Sequence, residues 1–430
     1  MKSQKKTRRI ALALPSGVSF IERILKGILE YCRTRGDWTF IRLPERLDPS
    51  LEWLRSCKSD GAFIMVSTEE AAKVARSLPM PVVNLTAHLQ VPDLPTVMVD
   101  HQEAGRLAAR HLIERSFSRF AYYGTSDLWY SRERRAGFLE TIKAHGGECA
   151  TLEVPSSWQA REKWVERQDE LKEWLESLRG PVGIMASTDL RACMAADACT
   201  QIGLRIPDDV ALIGVDNDPA SELHEPPLSS VSRSDAAVGL CAATLLDRLM
   251  AGGSPPDGPV LIPPDAIICR RSTETLAIDD SRISKAVAYI YKNVHRPFGV
   301  EELLNVASMP RRTFEQHFLK MVGMTPYLFI NKCRVERAIL LMAAPNKRSL
   351  TEIACICGFS DLHRFRLVFS RLTGIPPAAY RSSELISEMR LPVMRTQISF
   401  GRGSTRRRES ELAACLPANG LHEKGILSRN

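Results

Sequence analysis

The sequence predicts two architectures in one chain: an α/β domain of two similar lobes over residues 1–272, then an all-α domain with two helix-turn-helix motifs over residues 281–385. Three observations carry this expectation. Short apolar runs alternate with helical patterns through the first part, which argues for parallel sheets covered by helices. Beyond residue 280 the strand-like runs stop and only helical spacing remains. Charge changes at the same place: Lys and Arg number 34 against 39 Asp and Glu over residues 1–280, 17 against 8 over 281–390, and 7 against 3 over 391–430. A basic segment joined to a slightly acidic one points to a polyanionic partner for the C-terminal part.

In chain order, RIALALP, GAFIMVS, PVVNL, TVMVD, RFAYYG, GPVGIMAS and VALIGVD read as strands, each brief, aliphatic and bounded by Gly, Pro or Asp. Helical stretches lie between them at Ile21 to Arg33, Glu103 to Glu114, Arg132 to His145 and Trp158 to Leu178. So many strands exceed one compact sheet, hence the two lobes. VLIPPDAIICR is the last strand-like run, and residues 273–280 read as a polar connector. Then Ile283, Val287, Ile290 and Val294 recur at helical spacing, and Pro297 ends that helix.

Two segments about 50 residues apart repeat one grammar. The first, VEELLNVASMPRRTFEQHFLKMVGMTPYLF, has Leu303, Leu304, Val306, Phe314 and Phe318 on the apolar faces of two short helices. The second, SLTEIACICGFSDLHRFRLVFSRLTGIPPAAY, has a capping-box spacing at Ser349 and Glu352, Gly358 at the turn, and Phe359, Phe365 and Phe369 as anchors. Each closes on G-x-x-P, at Gly323 to Pro326 and Gly374 to Pro377. The helix between them, Leu328 to Met342, is expected to fix their separation. Residues 386–430 carry Arg406, Arg407 and Arg408 without apolar period and read as a disordered tail.

Composition removes other classes. The eleven cysteines show no C-x-x-C pair and no zinc-ligand spacing, so neither a disulfide framework nor a metal or other cofactor is expected. The basic start precedes an apolar run, Ile10 to Leu14, too short for the roughly 7–15 residues of a signal-peptide core. No run of about 18 apolar residues occurs, so no membrane partner is expected and the protein is expected in the cytoplasm. G-x-G-x-x-G, the P-loop, G-x-S-x-G and H-E-x-x-H are all missing, which argues against an enzyme.

VDHQEAGRLAARHLIERSFSRFAYYG, SRERRAGF, ASTDLRACMAADACTQIGLRIPDDVALIGVDND and PPLSSV resemble the effector domain of LacI-type repressors, itself similar to periplasmic sugar-binding proteins. That resemblance implies a two-lobed, periplasmic-binding-protein-like domain whose crevice takes a sugar, with Arg134 and Asp216 as contacts. Thr188 stands with Asp189 where the family often has Asn-Asp. GFSDLHRFRLVFSRLTGIPPAAYR closely resembles the signature of the AraC family. It implies that the second helix of each motif enters a major groove of double-stranded DNA, presenting Arg311, Arg312, Glu315 and Gln316 in the first and His363, Arg364 and Arg366 in the second. Pro310 replaces the usual Ser N-cap, and Leu367 replaces a polar base contact. The order of the two domains is that of the xylose-responsive regulators. It implies a small sugar, xylose or a relative, as effector, RNA polymerase and a second copy of the chain as partners, and activation of sugar-use genes.

Two readings stand for each singled-out residue. Arg134 is a ligand donor or a helix-surface arginine; Asp216 is a ligand acceptor or caps the turn before Pro219. Asp189 is an N-cap or a contact, and Arg23 faces the crevice or solvent. Trp129 and Tyr130 stack on a sugar or pack between lobes. Each recognition-helix arginine holds a phosphate or reads a base edge. Two rival functions are a DNA-binding repressor that needs no ligand and a sugar-processing enzyme.

Overall fold

The computed structural model describes residues 7–35, 37–42, 51–156, 164–178, 180–275, 280–343 and 348–382. The segment 386–430, expected to be a tail, lies outside the described residues.

The first lobe begins with β1 (Arg8–Ala13), α1 (Ser19–Arg35), β2 (Trp38–Arg42), β3 (Gly61–Ile64), α2 (Glu69–Arg76), β4 (Val82–Asn84) and β5 (Val97–Val99). β2, β1, β3 and β4 form a parallel sheet in that order. The second lobe follows as α3 (His101–Ile113), β6 (Arg119–Thr125), α4 (Trp129–Ala144), β7 (Glu148–Val154), α5 (Trp164–Ser177), β8 (Val182–Ala186), α6 (Asp189–Gln201), β9 (Val210–Val215), α7 (Ala220–Leu223) and β10 (Ser229–Ser232). The chain returns to the first lobe for α8 (Asp235–Met250) and β11 (Val260–Ile262), which pairs with β5, then ends in the second with β12 (Ala266–Ile268). That sheet runs β12-β10-β9-β8-β6-β7, and only β12 is antiparallel.

Central strands such as β8 and β9 are buried along their whole length, which is why they read as continuous apolar runs. The edge strands β2 and β7 are mostly exposed or half-buried, and β10 is Ser-Ser-Val-Ser, so none of the three gave an apolar signal. VLIPPDAIICR divides at Pro263 and Pro264 into two strands of different sheets.

Three crossovers join the lobes and are bonded to one another. Asp100 N donates to Ile262 O (2.7 Å), Asp265 N to Ser232 O (3.0 Å), and the Ser234 hydroxyl to Asp265 (2.6 Å). Ser272, Thr273 and Thr275 are buried, so the chain stays packed on the second lobe into the stretch expected to be connector. The Ser272 hydroxyl donates to Leu212 O (2.6 Å), which fixes it there.

The remaining elements are helical: α9 (Ser281–Asn293), α10 (Val300–Ala307), α11 (Arg311–Val322), α12 (Pro326–Ala343), α13 (Leu350–Ile356), α14 (Leu362–Thr373) and α15 (Pro377–Ser382). Two cores form, one around Ile283, Ile290, Phe314 and Phe318, the other around Val335, Phe359, Phe365 and Phe369. α12 contributes to both. Its Arg334 is almost buried between them, with the guanidinium 5.2 Å from the Phe298 ring and 5.8 Å from that of Phe359, donating to Arg296 O and Phe298 O. A cation shared by two aromatic faces resists sliding of one motif against the other. Ser349 and Glu352 make the capping box, and Gly323 and Gly374 end α11 and α14 with left-handed backbone. At Gly358 φ is +69° and a Cβ would overlap the carbonyl of Arg296, so only glycine fits that turn.

Candidate functional site

The crevice is lined from both lobes and the crossovers. α4 enters it with Tyr130 and Arg134; the loop after β9 brings Asp216; the start of α1 brings Ser19, Phe20 and Arg23; and the crossover after β10 brings Arg233 and Asp235. Arg134 is 1% exposed, and its guanidinium makes three bonds within the protein out of five N–H donors. One nitrogen donates to Ser187 O, one to Asp216 Oδ1 (3.1 Å), and Nε to His101 Nδ1 (3.3 Å). Arg233 also reaches Asp216 Oδ1 (3.3 Å) and donates to Asp235 (2.9 Å), while Arg23 donates to Asp235 (2.9 Å) and to Asp216 O (2.7 Å). Three guanidiniums and two carboxylates thus form one network.

Burial, together with Arg134, Arg233 and His88, holds the His101 imidazole well below its ordinary pKa. It is therefore neutral, with Nδ1 free to accept from Arg134. Each lobe adds a ring backed by a cation: Arg233 lies 4.6 Å from the Phe20 centroid and Arg134 4.9 Å from that of Tyr130. The hydroxyl of Ser187, buried at the end of β8, has no hydrogen-bond partner among the described residues. Donors in fixed forks, carboxylate acceptors and rings for C–H faces are what a polyhydroxylated ligand requires.

The lobes touch across this crevice. Ser19 Oγ donates to Asp218 (2.5 Å), and the first amides of α4 donate across it, Trp129 N to His88 O (3.0 Å) and Tyr130 N to Ala87 O (2.8 Å). The loop under them is strained: Asp216 has φ of +118° and Asn217 of +50°, conformations that L-residues rarely adopt. Neighbours hold it. Asn217 N donates to Ser230 Oγ (2.9 Å), Arg270 to Asn217 Oδ1 (2.7 Å), and Asp218 N to Asp189 Oδ2 (2.7 Å). Asp189 is fully buried beneath the loop and also accepts from Ser230 Oγ (2.6 Å). Burial and the charge of Asp216 push its carboxyl up to about 7.

Of the residues singled out from sequence, Arg23, Arg134 and Asp216 come together in the network. Asp189 supports their loop from below, and Thr188 N-caps α6, accepting from Arg191 N (3.2 Å). The cap before Pro219 belongs to Asp218, whose carboxylate accepts from Ala220 N (3.0 Å), not to Asp216. Tyr130 sits 5.8 Å from the His88 ring and 5.9 Å from that of His101. Sequence reasoning missed Phe20, His101, Arg233 and Asp235. Phe20 and His101 sit at helix starts just after strands, a position that could have marked them; Arg233 and Asp235 follow β10, which itself gave no signal.

In the helical domain, Phe314 and Phe318 of α11 and Phe365 and Phe369 of α14 are completely buried. The opposite faces carry exposed Arg311, Arg312 and Gln316 with half-buried Glu315, and exposed His363, Arg364 and Arg366. The two faces differ in charge pairing. Arg311 bonds Glu301 (2.9 Å) and Glu315 (3.0 Å). Arg364 donates to the Tyr327 hydroxyl, and Asp361 serves as N-cap, accepting from Arg364 N (2.7 Å). Pro310 begins α11 without any side-chain cap, and Leu367 is exposed beside Arg366. Among the described residues no cluster of His, Cys, Asp or Glu could hold a metal, and no helix is long and apolar enough to cross a membrane.

Residues 109–273 match the periplasmic binding protein-like domain family, and residues 303–383 match a helix-turn-helix domain family. The xylose operon regulatory protein of Escherichia coli K12 is 28% identical over 391 residues, covering 87% of this chain and 97% of that one. Its counterpart in Haemophilus influenzae is 26% identical over 382 residues, covering 87% and 98%. The solved structure of the xylose-binding transcription activator xylR is 26% identical, with a TM-score of 0.60 over 88% of this chain and 98% of that one.

Proposed function

We infer that this chain, which joins a periplasmic-binding-protein-like effector domain to an AraC-type helix-turn-helix domain, is a transcription regulator that binds DNA under the control of a small sugar. The observation that carries it is one chain holding both a crevice with paired guanidiniums, carboxylates and rings, and two recognition helices with cationic outer faces.

Arg134, Arg233, Arg23 and Asp216 hold the sugar's hydroxyls, Phe20 and Tyr130 cover its ring, and Thr188 and Asp189 shape the loops around it. D-xylose is the first candidate, because two xylose operon regulatory proteins are similar over 87% of this chain. Arg311, Arg312, Glu315, Gln316, His363, Arg364 and Arg366 face the DNA. Residues 1–272 sense, 281–385 bind, and the chain acts as a cytoplasmic homodimer that activates sugar-use genes with RNA polymerase. Asp216 already accepts from two guanidiniums, an arrangement for holding hydroxyls rather than moving protons, which favours a non-enzymatic role.

The test is calorimetric titration of the full chain with D-xylose, other pentoses, hexoses and sugar phosphates, followed by DNA binding with and without the sugar that binds. The inference requires saturable binding of one sugar and a change in DNA affinity. DNA binding with no response to any of them overturns it in favour of a ligand-independent repressor.

A further inference from the structure

α12 and α14 meet on the protein surface as well as in the core. Phe329 and Ile330 sink the start of α12 into the first core, and Phe365 sinks the start of α14 into the second. Their neighbours face outward: Tyr327 is 48% exposed, and Arg364 is exposed. These two side chains meet across 37 residues of chain. Arg364 donates to the Tyr327 hydroxyl, and its guanidinium carbon lies 5.7 Å from the centre of the phenol ring.

The pair has bonding capacity left over. The Tyr327 oxygen accepts from Arg364, but its own proton has no acceptor among the described residues. Arg364 spends one of its five side-chain N–H donors on that bond and, among the described residues, forms no ion pair with a carboxylate. Arg311, held by Glu301 and Glu315, is the opposite case. Accepting from a cation polarises the phenol O–H, which then donates more strongly. A hydroxyl donor beside a fork of N–H donors, with one positive charge between them, suits a group that is anionic and only accepts. Phosphate is such a group. The amide of Arg364 at the start of α14 is taken by Asp361 (2.7 Å), so the donors must come from side chains.

The position of the pair selects which phosphate. α12 begins at Pro326, just after α11 ends at Val322, so Tyr327 lies on the path from one recognition helix to the other. A duplex read in two successive major grooves presents, between them, the backbone that separates the grooves. We propose that Tyr327 and Arg364 together hold one phosphate of that intervening backbone, with Tyr327 a DNA contact that belongs to neither recognition helix. The proposal rests on the DNA-binding reading above and adds a site to it.

The experiment uses the full chain and a duplex selected by it from a random library, in which single phosphates are replaced one at a time by neutral methylphosphonates. The parent should lose about tenfold in affinity at one replacement between the two recognised grooves. Tyr327→Phe keeps the ring and removes only the hydroxyl; it should lose about tenfold on the natural duplex and no more than about twofold further at that same replacement. Arg364→Ala should show the same insensitivity there and lower the salt slope by roughly one unit, which Tyr327→Phe, removing no charge, leaves unchanged. The double variant should bind within about twofold of Arg364→Ala, because the two residues serve one phosphate. Urea unfolding of Tyr327→Phe that matches the parent keeps a folding defect out of the comparison. Tyr327→Phe that binds as tightly as its parent overturns the site. So does one that weakens yet stays sensitive to the replacement, which makes the hydroxyl a prop for Arg364 alone, and so does a loss in Arg364→Ala confined to one base pair. A parent that binds no duplex overturns the DNA-binding reading itself.

Discussion

The crevice and the DNA-facing helices both depend on arginine, but they use it in opposite ways. In the crevice, Arg134 is buried and Arg233 nearly so, and both are held by carboxylates of the protein, so each side chain has one geometry. On α11 and α14, Arg312 and Arg366 are exposed. Buried pairs are strong in geometry and intolerant of loss, whereas exposed cations act through the charge they bring to a polyanion and weaken as salt rises. Substitutions in the crevice should therefore register as stability and salt-independent affinity, and those on the helices as salt-dependent DNA binding.

The largest effect is expected at Arg134. Arg134→Ala leaves Asp216 with one partner fewer, opens a cavity against Tyr130, and orphans the carbonyl of Ser187. Losing one partner of a buried pair is expected to destabilise by about 3–5 kcal/mol, read from urea unfolding. A variant as stable as its parent breaks the contrast between the two regions.

Asp216→Ala comes next. It removes an acceptor for ligand hydroxyls and leaves an L-residue at the same positive φ, so sugar affinity is expected to fall by about 1.5–3 kcal/mol with the fold retained. Calorimetry decides, and unchanged affinity in a folded variant removes Asp216 from the site.

Asp189 tests the crevice through pH. Its carboxyl titrates near 7 in the fold against about 3.9 unfolded. Between those values the native state keeps a proton that the unfolded chain has released, so stability falls as pH rises through the window and the loss is complete above it. Asn has no such proton. The stability of Asp189→Asn relative to the parent should rise by up to about 2.7 kcal/mol between pH 5 and pH 7, while His101 and His111 titrate alike in both and cancel. A difference independent of pH means that Asp189 is ionised throughout.

The same contrast explains what the sequence revealed. Periodicity exposed the buried strands, the capping box at Ser349, and the Phe residues that commit α11 and α14 to their cores, because burial writes itself as local pattern. Arg134 and Asp216 were legible because they follow strands and match a family motif. Arg233 and Asp235 were not, since the polar strand β10 gave nothing to count from. The crossover bonds of Asp100 and Ser234, like the contact of Arg115 with Thr273, join residues more than 25 apart and leave no local trace.

On the helices, Arg366→Ala should weaken binding to all duplexes about equally and reduce the slope of log affinity against log salt by roughly one unit. Loss confined to one base pair would make Arg366 a base reader instead.

The smallest effect is expected at Arg311, the arginine that most resembles the crevice in being paired. Its guanidinium bonds Glu301 and Glu315 on the outer face of the first motif, so the local charge there is already balanced. To hold a phosphate it must leave both carboxylates, and little net positive charge then meets the DNA. Arg311→Ala should accordingly leave the salt slope unchanged within about 0.3 units, a third of what one phosphate contact contributes. The complementary change sharpens the point. Glu315→Gln frees Arg311 from one partner and should raise DNA affinity and steepen the slope, most clearly below about 0.1 M salt, where exposed charges are least screened. Titrations of both variants at four salt concentrations measure this. A slope for Arg311→Ala that drops as far as that for Arg366→Ala would show that the pairing on α11 yields to DNA, and that the two recognition helices grip the backbone alike.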